Sequence, residues 1–370
     1  MKITRVEAIM LEAPIETPYR IATAVIRSFY ATVVRITTDD GVCGIGECIV
    51  RSSPRVTAAI VEDMLAPILI GRDPRDIEGL FHDMHNIMRA RGHSRGFMIE
   101  AIAGVDMALW DIVARYQKVS IGKALNGCAR TRVPCYASSI MIREIDQMEK
   151  EAYEVAKQGF SSIKVKVGLG STQKDVELLR RIRHAVGEDV TLSVDANSCY
   201  SAADAIEVGR RFEELGIIWF EEPVLAEDLV GYRRVRQALR MPIATGESEF
   251  TPQGIRELFI SDCVDIIQPD VARAGGYTGC RKIANLAEAF NKAYTPHTGL
   301  SSAICLFASL QLASYAVNFL SYEFVLMKNP LQHILDRPIP QAQNGFVDIP
   351  DEPGLGAQLD EAAVAKFRIK

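Results

Sequence analysis

The rhythm of hydrophobic and polar positions changes twice along this chain. Ile3 to Leu11 and Tyr30 to Thr37 carry strand-like alternation with many β-branched residues. Asp39-Asp40-Gly41 is then a turn signal leading into Val42 to Glu47, so the opening predicts an antiparallel meander. From Arg55 to Lys118 the apolar positions fall at helical spacing, most clearly Ile99, Ile102, Ala103, Val105, Asp106, Ala108, Leu109, Trp110 and Ile112. Strands followed by helices predict an α+β domain over residues 1–127.

After Gly127 short apolar runs alternate with amphipathic helical stretches. The runs are Val133 to Ser139, Ser162 to Val167, Thr191 to Asp195, Ile217 to Glu221, Pro242 to Glu247, Val264 to Asp270, Lys292 to His297 and Phe319 to Glu323. Between them, patterns such as Asp175 to Val186 and Ala202 to Leu215 have the length of a crossover helix joining parallel strands. Eight such units predict a closed (β/α) barrel over residues 128–335. The tail, residues 336–370, is rich in Pro and Gly and reads as an extended segment that returns to the first domain.

Composition narrows the partners. The 370 residues are 48% hydrophobic and 24% charged, ordinary globular usage, and the net charge of −5 comes from interspersed signs. That argues against a nucleic-acid surface or a polybasic membrane anchor, and leaves a small molecule as the expected partner. No apolar run approaches the roughly 20 residues that span a bilayer, and Met1 to Glu7 lacks a signal-peptide core, so the expected location is the cytoplasm. Eight cysteines without a C-x-x-C pair fit small buried hydrophobes in a reducing compartment.

Chemistry enters where polar residues interrupt the apolar runs, because catalytic groups of such barrels sit at the C-terminal ends of several strands. Lys164 and Lys166, Asp195, Glu221, Glu247, Asp270, His297 and Glu323 all do so. From Asp195 onward their spacings are 26, 26, 23, 27 and 26 residues, one equivalent place per unit. Asp195, Glu221 and Glu247 end adjacent strands, so their carboxylates converge, and a bound cation relieves their repulsion. An all-oxygen anionic set favours magnesium, with manganese as a substitute, over zinc or copper. A lone Asp or Glu there would be no more than a helix cap; three in register are not.

Alternation sends Lys164 and Lys166 to the same inward face, where each ammonium depresses the other's proton affinity and one can serve as a base. His297 beside Asp270 forms a second base whose tautomer the carboxylate fixes. Strand seven lies three steps from strand two around an eight-membered ring, so the two bases are expected on opposite sides of a substrate. Glu323, if protonated, could donate to a developing enolate oxygen. Ser139 and Asn197 are candidate substrate contacts. His82 and His85 lie one helical turn apart with no third ligand and read as surface.

Taken together, Lys164-Val165-Lys166, Asp195-Ala196-Asn197, Glu221-Glu222-Pro223, Gly246-Glu247-Ser248, Gln268-Pro269-Asp270 with Arg273-Ala274-Gly275-Gly276, and Pro296-His297 resemble the mandelate racemase subgroup of the enolase superfamily. The related muconate-lactonizing subgroup ends strand six with a lysine; here Asp270 stands there. The resemblance implies a modified TIM (β/α) barrel with an N-terminal α+β capping domain, often assembled as a homo-oligomer. It implies Mg²⁺ held by Asp195, Glu221 and Glu247 and chelated by the substrate carboxylate, whose charge Lys164 neutralises. Lys166 and the His297–Asp270 dyad would take α-protons of opposite configuration. A loop of the cap within Thr17 to Phe29 would close over the site, with Tyr19 and Arg20 as expected substrate contacts. Two reactions share this machinery: dehydration of an acid sugar to a 2-keto-3-deoxy acid, the favoured reading, and racemisation or epimerisation of a 2-hydroxy acid. A third, remote reading is a metal-binding barrel without catalysis.

Overall fold

A computed structural model of the chain describes residues 1–127 and 130–369. The first domain opens with β1 (Ile3–Arg20), β2 (Val25–Thr38) and β3 (Cys43–Val50), an antiparallel sheet in that order. It continues into helices, of which Phe97–Gln117 is the longest and is buried along most of its length. Sheet and helix approach backbone to backbone: a Cβ on Gly46 would lie 2.0 Å from the Gly104 carbonyl oxygen, so only glycine fits there.

The expected meander is present, but its first two strands run further than the alternation suggests. Tyr19 pairs with Ile26 and Arg20 with Val25, and the Ile21 N–H donates to the Ala24 carbonyl at 3.0 Å. The stretch expected as a loop is therefore the tip of a hairpin. It is tacked to the barrel by the Ile142 N–H, which donates to the Arg20 carbonyl at 3.1 Å, and by close packing of Ala22 on Gly168.

The barrel strands are β4 (Arg132–Ile140), β5 (Ser162–Lys166), β6 (Thr191–Asp195), β7 (Ile217–Glu221), β8 (Ile243–Thr245), β9 (Ile266–Ile267), β10 (Ala293–Tyr294) and β11 (Tyr322–Val325), all paired in parallel. β11 pairs with β4, and a parallel bridge between Tyr294 and Phe319 closes the ring. Helices Thr172–Val186 and Ala202–Glu214 cross over where the periodicity places them, each opened by a serine N-cap, Ser171 and Ser201.

Alternation sorts each strand. Phe220 packs outward on Phe212, whereas Trp219 points into the ring and meets Tyr136 edge-on at 5.2 Å. With Ala244 and Ile266 these two rings form a small separate core inside the barrel, a floor beneath the polar mouth. The tail contributes β12 (Phe346–Asp348), antiparallel to β4, and ends against β1 through a bridge between Leu11 and Arg368.

Cap and barrel are joined by buried polar contacts. Glu47 on β3 accepts from the Ser302 N–H at 2.8 Å, the Ser302 hydroxyl at 2.6 Å and the Cys305 N–H at 2.9 Å, so a cap carboxylate satisfies the first turn of barrel helix Ala303–Tyr315. Asp106 accepts from the Thr278 N–H, and the Trp110 indole donates to the Thr278 hydroxyl. All seven described cysteines are unpaired. Among the described residues no helix is long and apolar enough to cross a membrane.

Candidate active site

The polar side chains of the inward positions meet above the aromatic floor. Lys166 and Asp195 occupy equivalent places on β5 and β6, as do Asp195 and Glu221 on β6 and β7. β8, β9 and β10 are shorter than the apolar runs, so Glu247, Asp270 and His297 stand two or three residues beyond the strand ends, while Glu323 sits within β11. The ring still brings them together. One oxygen from each of Asp195, Glu221 and Glu247 can be chosen so that all three lie within 4.8 Å of one another. Magnesium binds oxygens at about 2.0–2.1 Å, so small side-chain shifts suffice for one ion to bridge the set, and three hard anionic oxygens suit it.

Lys164 is 1% exposed and donates to Glu221 at 2.7 Å and Glu323 at 2.8 Å, with Asp195 at 3.8 Å and the Tyr136 ring 5.4 Å below. Burial opposes its charge, but Glu221 and Glu323 more than offset that and hold it protonated. Lys166 donates to Asp195; burial and Lys164 both lower its proton affinity, yet Asp195 prevails and raises it. The depression of Lys166 by Lys164 is thus present but outweighed while Asp195 is its partner. Burial lifts Glu221 to about 8 against the pull of Lys164, with Asp195 adding to the rise. A carboxylate so crowded is one that a cation would stabilise.

Across the mouth, the His297 Nδ1–H donates to Asp270 Oδ2 at 2.7 Å, and Nε2 lies 3.3 Å from Glu247. Burial disfavours the imidazolium, but Glu247, Glu323 and Asp270 lift it to about 9. Asp270 is fixed in turn by the Ala272 N–H at 2.8 Å and the Cys305 thiol at 3.6 Å. Lys166, His297, Ser139, Asn197, Glu247 and Glu323 all line one cavity of about 440 Å³, roofed by the hairpin from Ile21 and Ala24 to Tyr30. Such a cavity, lined by Glu247 of the metal-competent carboxylate set and by two basic side chains, can bind a carboxylate and move a proton at the adjacent carbon.

Comparison with known proteins decides the family. Residues 5–125 match the N-terminal domain of the mandelate racemase / muconate lactonizing enzyme family, and residues 147–363 match the enolase C-terminal domain-like family. The chain belongs to the enolase superfamily. It is 36% identical to D-galactarolactone cycloisomerase of Agrobacterium fabrum over 100% of this chain and 99% of that protein, and 37% identical to arabinonate dehydratase of Saccharolobus solfataricus over 90% of each. A racemase structure from Streptomyces coelicolor A3(2) with bound magnesium superposes with a TM-score of 0.91 at 27% identity, covering 99% of this chain and 100% of the other. Membership of this superfamily makes the protein an enzyme of the lyase or isomerase kind.

Within this enolase-superfamily site, three expectations change. Glu323 does not stand as a neutral donor: Lys164 and the Ser138 hydroxyl donate to one oxygen and the Thr298 N–H to the other, so despite burial its carboxyl is held below the usual range. Tyr19 and Arg20 do not line the cavity, because strand pairing turns this side of the hairpin away from it. The Tyr19 hydroxyl instead accepts from the Lys328 N–H at 3.3 Å, and Ile21 and the residues from Ala24 onward meet the cavity. His85 is half-buried against the Phe81 ring at 4.4 Å, whereas His82 is exposed and bonds Asn86.

Several site residues escape a reading by strand ends. The Gln268 side-chain N–H donates to Glu221 at 2.7 Å; its position two before Asp270, on the same side of an extended segment, was the available signal. Glu222 is buried beside Glu247 and Asp195 and accepts from the Ser248 hydroxyl at 2.9 Å; burial, then those charges, push it well up. Ser138 and Thr298 carried none beyond adjacency. Gly299 matters for space: a Cβ there would sit 2.9 Å from His297 Nε2. Gly299→Ala should leave the melting curve near wild type while displacing the imidazole, and a misplacement of that size is expected to cost about 100-fold in kcat. Unchanged turnover in a folded variant would show that the ring does not need this clearance.

Proposed function

We propose that this protein removes the α-proton of a carboxylate substrate with Mg²⁺, and that its reaction is dehydration of an acid sugar to a 2-keto-3-deoxy acid. The observation that carries the reading is the pairing, across one cavity, of Lys166 on β5 with the Asp270-supported His297 beyond β10, over three convergent carboxylates. Asp195, Glu221 and Glu247 would hold the cation, which when bound offsets the negative charge that builds on the substrate carboxylate. Lys164, fixed by Glu221 and Glu323, would add a buried positive charge on the same side.

In this scheme Lys166 takes the α-hydrogen as a proton, and the C–H electrons pass into the enediolate. His297 is suited to the opposite task. As an imidazolium it gives its Nε2 proton to the β-hydroxyl, whose C–O bond breaks as water leaves, and the resulting enol becomes the keto acid. Loss of a ring oxygen from a lactone is the same step with a tethered leaving group, so lactones belong in any substrate panel. Residues 1–127 would cap and residues 128–335 perform the chemistry, with residues 336–370 strapping the two.

Racemisation is the second reading, because the same two bases could deprotonate one face and reprotonate the other. Incubation with aldonic and aldaric acids, their lactones and 2-hydroxy acids in heavy water with Mg²⁺ separates the two. Keto-acid formation supports dehydration. Deuterium at the α-carbon with inverted configuration and no elimination replaces it with racemisation, and absence of both across the panel would leave a metal-binding barrel without this chemistry.

A further inference from the structure

The cavity holds two cations that the proton-abstraction scheme does not use. Arg27, on β2 near the hairpin tip, lines it and makes no hydrogen bond or ion pair among the described residues. Arg51, just past β3, lines it too and has one partner, the Gly299 carbonyl, to which Nη1 donates at 3.0 Å. Among the described residues no carboxylate forms an ion pair or hydrogen bond with either guanidinium, although Glu247, Asp270 and Glu100 lie close enough to favour the charge of Arg51. The direct partners of the cavity acids are others: His297 for Glu247, and Lys164, Ser138 and Thr298 for Glu323.

The surroundings sharpen the asymmetry. Ile21, Val25, Ile26, Phe29, Leu300 and Met327 form much of the remaining wall. These offer a long neutral polyol few hydrogen-bond partners, and they lower the local dielectric, which strengthens a charge-assisted contact. The guanidinium fork matches a carboxylate with two parallel N–H donors, and Arg51 is anchored through Gly299, where an added Cβ would meet the His297 imidazole.

We infer that Arg27 and Arg51 form a subsite for a second anionic group, so that the substrate is a dicarboxylic acid whose far carboxylate is held under the hairpin while the near one meets the Asp195, Glu221 and Glu247 set. This rests on the proton-abstraction reading for the near end only. The pair then discriminates through charge-assisted hydrogen bonds that a neutral far end cannot make.

The test compares an aldaric acid with the aldonic acid of the same configuration, and with that aldonic acid carrying a terminal phosphate, in the magnesium-loaded wild-type protein and in Arg27→Gln and Arg51→Gln. Calorimetric binding to the Lys166→Met variant, with and without each arginine change, gives a readout that needs no turnover. The expected result is a diacid preference in both kcat/KM and Kd. Each arginine variant should cut that preference by about 10- to 100-fold, mostly through KM. Equal use of diacid and monoacid, or variants that weaken both alike, would overturn the subsite, and preference for the phosphate ester would overturn its assignment to a carboxylate. Diacid-selective binding that depends on the arginines, with no turnover of any compound, would uphold the subsite while defeating the proton-abstraction reading.

Discussion

Lys166→Met and His297→Asn should each lower kcat by about 10³-fold, near the middle of the range spanned by a positioned acid or base. The two should differ in what survives. With His297 replaced, Lys166 still faces the α-carbon, so α-proton exchange with heavy water should persist while keto-acid release stops. With Lys166 replaced, exchange by that route should stop as well. Mass spectrometry of substrate recovered from heavy water reads the first quantity and a keto-acid assay the second. If either single variant kept a tenth or more of wild-type turnover, the assignment of the two bases would fall.

The second large effect is on stability. Magnesium at about 100 times its Kd should stabilise the folded chain by about 2.7 kcal/mol, and a chelator should remove that gain. Glu221→Ala should abolish the magnesium response. It should also cost about 3 kcal/mol in the metal-free protein, because Lys164, buried and bonded to Glu221 at 2.7 Å, would keep Glu323 as its one hydrogen-bonded acid, with Asp195 farther off at 3.8 Å. Urea unfolding with and without magnesium gives both numbers. A magnesium response that survived in Glu221→Ala would place the ion elsewhere.

The features legible in the sequence are those enforced by a period. The 26-residue rhythm from Asp195 to Glu247 follows from one strand and one helix per unit; β6 and β7 end where the apolar runs end, and β5 one residue earlier. The run-based reading weakens where backbone pairing stops early. β9 and β10 are two-residue strands, so Asp270 and His297 reach the site as loop residues joined by an isolated bridge, and only the closed ring keeps them opposite Lys166. The hairpin was hidden for a different reason. Pro14 to Tyr19 carries a register shift, which breaks the alternation that would have announced a strand and decides which side chains face the cavity. The contacts fall not on Tyr19 and Arg20 but on Ile21 and on Ala24 and its successors. Ser138 and Thr298 meet Glu323 from the units on either side of β11, a proximity set by closure of the ring and not by any pattern local to them.

The contact between Glu47 and the helix that begins at Ala303 joins groups 255 residues apart in sequence. During synthesis these strands leave the ribosome carrying a carboxylate whose proper partners do not yet exist, and its neighbours on the sheet stay wet until Ser302, 255 residues on, has been added. Docking of the sheet on the barrel must therefore be late and concerted, which is the regime in which exposed strands aggregate and chaperones earn a role. Expressing either half alone should give insoluble material for the same reason.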